Sequence, residues 1–235
     1  MIRFYAPDIN TNPVLPEGES THCVKILRMQ PGNSIEVIDG KGNAYTCRLL
    51  DAHHKHALVE ILEQRHEPLS WEYHLTVAVA PTKHMDRMEW LIEKLTEIGV
   101  NRFIPALCGR SERKEIKTER LEKIAISAMK QSLKAVLPKI DGITPIKKII
   151  TECNAKQRFI CYCDDSVERR TLAKEYTCNT DTFVLIGPEG DFTIEEVNLA
   201  IANGFIPITL GANRLRTETA ALFAATQIHT INQLL

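Results

Sequence analysis

Hydrophobic and polar positions follow two different rhythms along this chain, and the change falls near residue 70. Over "NSIEVIDGKGNAYTCRLLDAHHKHALVEILEQ" (33–64), apolar and polar residues alternate, which is the period of half-buried strands. "DGKG" (39–42) cuts that run with a hairpin signal. A short helical piece, "GESTHCVKILRM" (18–29), precedes the strands. The pattern predicts a small β-rich unit over 1–70, with "HEPLSWEY" (66–73) as the joint, where Pro68 interrupts the pattern.

From residue 74 the period lengthens. "HLTVAVA" (74–80) reads as a strand, and the segment after it carries Met88, Leu91, Ile92, Leu95 and Ile98 on one helical stripe. Gly99 is placed to stop that helix. Strands are then predicted in "RFIPAL" (102–107), "QRFICYC" (157–163), "TFVLIG" (182–187) and "IPITLG" (206–211). Helices are predicted over 118–136, 193–204 and 217–235. Alternating strands and helices imply an α/β domain over 74–235 with a largely parallel sheet.

Composition changes little in this picture. With 235 residues, 44% apolar and 25% charged, the chain has material for a sizeable core. Its apolar runs are far shorter than the roughly 18 residues of a membrane span, and "MIRFYAPDIN" has no signal-peptide character. Seven cysteines without a CxxC pair read as reduced structural thiols, with Cys161 and Cys163 spaced to share one strand face, which points to a cytoplasmic protein. The net charge of −1 advertises no nucleic acid, so a polyanion site has to be local, in clusters such as 110–117, 130–139 and 147–148. His53, His54 and His56 lack an accompanying acid or thiol pattern and read as solvent-exposed, so no metal is expected.

Two strand exits carry the candidate chemistry. "IGPEGDFTIEE" (186–196) and "TLGANRLRTETAA" (209–221) both leave a strand through glycine and enter a helix. Ligands in open α/β sheets sit beyond the carboxyl ends of strands, and glycines let the backbone come close to them. Thr193 with Glu196 forms a capping box, which explains that pair by helix initiation. Glu189 and Arg216 have no such explanation. The P-loop and dinucleotide fingerprints are absent, which disfavours a nucleotide-binding domain.

These two motifs, with the upstream "DRMEWLIEKLTEIGV", "ERK" and "KQS" and the front "THCVKILRM" and "VIDGKGNAY", resemble the ribosomal RNA small subunit methyltransferase E family of the SPOUT superfamily. The likeness runs over nearly the whole chain. It implies a PUA-like β-barrel that binds RNA, followed by a homodimeric α/β domain with a parallel sheet and a C-terminal trefoil knot. It implies S-adenosylmethionine as methyl donor and N3 of one uridine in 16S ribosomal RNA of the small subunit as acceptor. By the same resemblance, Leu185, Gly187, Glu189 and Gly190 form one wall of the donor pocket. Leu210, Gly211, Leu215 and Arg216 form the other. Two departures stand out: Asp191 where the family has a second glycine, either facing the sulfonium or turned to solvent, and "LKAV" (133–136) where arginines are common. Lys134 is then the remaining phosphate contact of that segment.

Uridine N3 is a poor nucleophile until its proton leaves, and the negative charge then spreads over the flanking oxygens. A fixed cation is the natural stabiliser, a role that suits the permanently charged fork of Arg216. Glu218 is a candidate to take the proton or to orient Arg216, or is simply an acid favoured in a first helical turn. The N3 edge is used in base pairing, so the target is flipped or single-stranded. Arg3, Lys25 and Arg28 in the front unit, with Lys83, Arg110 and Arg113 after the joint, are the candidate phosphate contacts. The small-residue last helix suits burial, a knot or a helix–helix dimer contact. The competing reading from another class is a non-catalytic ribosome-assembly factor with a vestigial donor pocket.

Overall fold

A computed structural model describes residues 2–164 and 167–234. The chain forms two compact units. The first comprises Met1–Ser70 with Ile126–Leu137, and the second Trp71–Ala125 with Pro138–Leu235.

In the first unit, strands β1 (Arg3–Tyr5), β2 (Ser34–Ile38), β3 (Asn43–Asp51) and β4 (Leu58–His66) lie in sequence order in one sheet. The pairing of β1 with β2 is parallel and the other two are antiparallel. Helix α1 (Glu17–Thr21) runs into a wider helical turn over His22–Ile26, where the short helical piece is expected. The hairpin signal at 39–42 has a local cause. The Asp39 carboxylate accepts from the backbone N–H groups of Lys41 and Asn43 (2.7 and 3.1 Å), while Gly40 takes φ +74°. A side chain at Gly40 would also press on the Tyr5 ring, at 2.9 Å. Phe4, Val37, Tyr45, Cys47 and Leu49 fill the core of this unit.

The segment 126–137 belongs to this first unit, although its sequence reads as part of the α/β domain. Lys130 Nζ pairs with Glu19 (2.6 Å), Arg3 Nη1 donates to the Leu133 carbonyl (2.7 Å), and Met129 and Ala135 pack with Ile38 and Ala44. The helix expected over 118–136 stops at Gln131, and Leu133 turns the chain at φ +57°.

In the second unit, β5 (Leu75–Val79), β6 (Arg102–Leu107), β7 (Lys139–Ile140), β8 (Thr144–Pro145), β9 (Gln157–Cys161), β10 (Arg170–Thr171), β11 (Thr182–Ile186) and β12 (Ile206–Thr209) form one sheet. The order is β10-β12-β9-β11-β5-β6-β7, with β8 on β6, and every pairing is parallel. β5 and β11 are buried along their whole length, which is why both read as unbroken apolar runs. Helix α2 (Met85–Ile98) buries Met88, Leu91, Ile92 and Leu95. It ends, as expected, at Gly99, whose φ of +127° and contact with the Trp71 ring both require glycine. Helices α3 (Thr118–Gln131), α4 (Ile146–Glu152), α5 (Leu172–Glu175), α6 (Ile194–Ala202) and α7 (Thr217–Leu234) complete the fold. α7 packs on α2, β5 and β11 through Ala221, Ala224, Ala225 and Ile228, so its small residues serve close burial. No helix is long and apolar enough to cross a membrane, among the described residues.

The chain leaves β5 for β6 on one side and returns to its other side only at β11. That reversal opens a crevice at the carboxyl ends of β5, β9, β11 and β12.

Candidate functional site

The loop after β11 is braced from every side. Gly187 is buried against the Phe192 ring, where a Cβ would come within 3.0 Å, and its carbonyl accepts from Thr217 Oγ1 at the start of α7 (3.1 Å). The Glu189 carboxylate accepts the backbone N–H of Lys83 (3.2 Å), so it latches this loop to the one after β5. Arg110 Nη1 donates to the carbonyls of Gly190 (2.9 Å) and Phe192 (3.2 Å). Arg113 in turn holds the carbonyls of Thr82 and Lys83.

Asp191 braces the loop through its carboxylate while also lining both cavities described below. It stands at φ +60°, a conformation glycine adopts freely and Asp tolerates better than most residues. Its carboxylate accepts the backbone N–H of Cys163 (2.9 Å) and of Phe192 (2.8 Å), tying the exit of β9 to that of β11. The capping box forms as expected between Thr193 and Glu196. Glu196 also accepts the N–H of Gly109 (2.7 Å), which fastens the loop after β6.

The loop after β12 is held by less. Gly211 takes φ +136°, where a side chain would be strained, and among the described residues bonds only with the Thr209 hydroxyl. Residues 211–214 and Arg216 are exposed, while Leu210 and Leu215 are half-buried.

Between the loops lies a cavity of about 310 Å³, lined by Gly187, Pro188, Glu189, Leu215, Arg216 and Arg87 among others. A second cavity of about 910 Å³ takes Gly190, Leu210 and Gly211 into its wall and shares Asp191, Leu215, Cys161 and Cys163 with the first. Seven of the eight expected pocket residues therefore converge. Leu185 is the exception: it is fully buried inside β11 and belongs to the core. β9 ends at Cys161, so Cys163 lies in the loop and does not share a strand face with it. Burial pushes both thiols above their ordinary range, reinforced at Cys163 by Asp191 and opposed by Arg214 and Arg169. They stay protonated and are poor nucleophiles.

Glu218 is buried at the start of α7, and its ion-pair partner is Arg87 (3.7 Å). No ion pair joins it to Arg216 among the described residues. Arg87 is the functional candidate that sequence reasoning missed, because it reads as an ordinary polar position on an amphipathic helix.

The expected phosphate contacts divide. Lys25 and Arg28 are exposed in the first unit. Lys83 is exposed in a surface pair with Glu112. Arg110 and Arg113 bind loop carbonyls, as described, and Lys134 is half-buried. Arg3 requires correction as a surface cation. Its side chain is 9% exposed and its guanidinium is used on Glu36, Glu67 and the Leu133 carbonyl. No group of three metal-ligating side chains occurs among the described residues; His53 stacks on His56 and meets His54 at a tilt.

Comparison with known proteins places this geometry. Residues 69–229 match the family model of the RNA methyltransferase domain, and residues 15–62 that of the RNA methyltransferase PUA domain. The ribosomal RNA small subunit methyltransferase E of Mesomycoplasma hyopneumoniae is 30% identical, with 97% of this chain and 98% of that protein covered. The crystal structure of a probable rRNA-methyltransferase from Porphyromonas gingivalis is 44% identical with a TM-score of 0.95, covering 100% of this chain and 99% of the other. The ribosomal RNA small subunit methyltransferase E of Neisseria gonorrhoeae, solved bound to S-adenosyl methionine, is 28% identical with a TM-score of 0.85, covering 98% of both chains. With its methyltransferase and PUA domains both matched, the chain belongs to the ribosomal RNA small subunit methyltransferase E family.

Proposed function

We propose that this ribosomal RNA methyltransferase, which takes its methyl group from S-adenosylmethionine, acts on N3 of one uridine in 16S ribosomal RNA. The observation that carries the reading is the convergence of the two glycine-containing loops on two adjoining cavities, the smaller of which also holds Arg216 and Arg87. The lining suits the donor. Glycines leave main-chain room, Leu215 and Ile186 offer apolar contact, and Glu189 and Asp191 set negative charge near a sulfonium. Seven of the eight expected pocket residues line these cavities, which favours an enzyme over an assembly factor with a vestigial pocket.

The donor supplies an electrophilic methyl group, and the protein supplies alignment and charge. Acceptor nitrogen, methyl carbon and sulfur must lie in line, and rigid loops that hold that geometry account for much of the acceleration. Arg216, exposed at the rim, stabilises the negative charge that appears on the uracil oxygens. Glu218 serves as proton acceptor or holds a cation in place. The protonated thiols of Cys161 and Cys163 favour direct transfer over covalent attack on the base. Lys25, Arg28 and Lys83 supply sequence-independent phosphate contacts to the small subunit. The working form is a cytoplasmic homodimer with a C-terminal knot around the donor site.

Reverse transcription across small-subunit RNA tests the reading, because an N3-methyl group blocks pairing and stops the polymerase. We expect one donor-dependent stop on either naked RNA or assembled subunits. If neither substrate shows one, the N3 assignment is wrong.

A further inference from the structure

Arg87, in the first turn of α2, lines the smaller cavity beside Pro188, Glu189 and Arg216. Its Nε lies 3.7 Å from Glu218 Oε1, close enough for an ion pair but too long for a hydrogen bond. Glu218 is 7% exposed, and its Oε2 is sealed from solvent with no hydrogen-bond partner among the described residues. A buried carboxylate paired with a half-buried arginine at this distance is a poor source of stability, since the cost of desolvating the charges competes with their attraction. A buried carboxylate that leaves half its acceptors unused is better explained by what it does to its partner. That partner is held at the cavity wall with guanidinium nitrogens unused among the described residues.

We infer that Arg87, aimed by Glu218, is a second cation that binds the deprotonated uracil ring during methyl transfer. The inference rests on the uridine N3 reading above and assigns the acceptor side of that site. The N3–H bond breaks, its proton passes to solvent water, and its electron pair stays on the ring, spread over N3 and the two oxygens. N3 then bonds the methyl carbon, and the sulfur–carbon pair leaves with sulfur as a neutral thioether. Arg87 donates to one ring oxygen while Arg216 serves the ring from the rim. The planar fork of a guanidinium can hold such an anion in the plane that in-line attack requires. Glu218 is thereby a positioning residue: its sealed Oε2 is out of reach of the base, whereas half-buried Arg87 lines the cavity.

The test is single-turnover methyl transfer by the full chain to small-subunit RNA, with donor saturating, across pH. Wild type is compared with Arg87→Gln, Glu218→Gln and the double variant, and donor affinity is measured by calorimetry. We expect Arg87→Gln to slow transfer by about 100-fold near neutral pH, the scale of losing one charge-stabilising donor. The gap should narrow as pH rises, because hydroxide then deprotonates the ring without help. Donor affinity should hold within about 3-fold, and the double variant should be no slower than Arg87→Gln, as for two residues acting as one unit. Several results overturn the inference: an Arg87→Gln rate near wild type, a loss that does not change with pH, equal losses of rate and donor affinity, or multiplicative single effects. If wild type makes no N3 stop at all, the N3 reading falls and takes this inference with it. A wild-type stop with an unaffected Arg87→Gln removes the inference alone.

Discussion

The two loops that line the cavities at the carboxyl ends of β11 and β12 look alike in sequence and are built differently. The loop after β11 is fastened through Gly187, Glu189, Gly190 and Asp191 to α7 and to the exits of β5 and β9, with Arg110 holding its far side. The loop after β12 bonds chiefly with itself, through Thr209 and Gly211, and leaves residues 211–214 exposed. Among the described residues, one wall is therefore tied to several neighbouring elements and the other to few. Arg216 is a permanently charged side chain exposed at the end of the less-bonded wall, which suits a residue that acts when charge develops. The braced wall is suited to holding the donor.

The largest expected effect lies on the loose wall. Arg216→Lys keeps a positive charge but loses the planar fork. We expect turnover to fall by about 100-fold or more, with donor affinity changed far less. Single-turnover rates and calorimetric titration on the same preparation check this. Equal losses in both would make Arg216 part of the donor wall and remove the functional contrast between the loops.

A smaller effect is expected on the braced wall. A Cβ at Gly187 would stand 3.0 Å from the Phe192 ring, itself fully buried. The ring has little room to yield, so Gly187→Ala should cost about 1–3 kcal/mol of stability, the range for overpacking a filled site. Donor affinity should fall with it, since Thr217 and α7 are tied to the same carbonyl. Thermal unfolding with and without donor measures both. An unchanged melting temperature would mean that this wall is softer than its bonds imply.

Much of the fold around these loops was legible in the sequence, and the missing parts have physical reasons. β5, β9, β11 and β12 announce themselves because buried parallel strands are short apolar runs, and α2 because its buried stripe has helical period. β1, β7, β8 and β10 are two or three residues long, too short for any periodicity. The membership of 126–137 in the first unit rests on Arg3 and Glu19, more than a hundred residues away in sequence, and no local pattern encodes it. The same bonds explain why Arg3 looked like a surface cation and is not one. Glycine and Glu189 marked the site because a plain turn would not need them. Arg87 had no such mark, since its partner lies on a helix that begins 130 residues later.

That grouping also alters a natural truncation. A fragment beginning at residue 74 keeps 126–137 but loses the surface that Met129 and Ala135 pack on. We expect such a fragment to bind donor but to melt below the intact chain. Its RNA affinity should be weaker and less dependent on salt, because the exposed cations Lys25 and Arg28 are gone. Full RNA affinity in the fragment would overturn the assignment of RNA contacts to the first unit.

The smallest effect is expected at Asp191, and its direction separates a brace from a charge sensor. Asp191→Gly removes an acceptor for the Cys163 N–H, a hydrogen bond of about 0.5–1.5 kcal/mol net. It also relieves a side chain held at φ +60°, a term of similar size for a residue in the left-handed region. The two offset, so stability should change by less than about 1 kcal/mol. Asp191→Asn is the sharper variant, because it keeps an acceptor oxygen and the tolerated backbone conformation while removing the charge. If Asp191 is a brace, Asn should bind the cationic donor and its neutral thioether product with equal, near wild-type affinity. If its charge is felt by the sulfonium across the cavity it lines, affinity for the donor should fall and affinity for the product should not. The carboxylate already accepts two backbone N–H groups, so we expect the brace, and paired calorimetric titrations of the two ligands decide it.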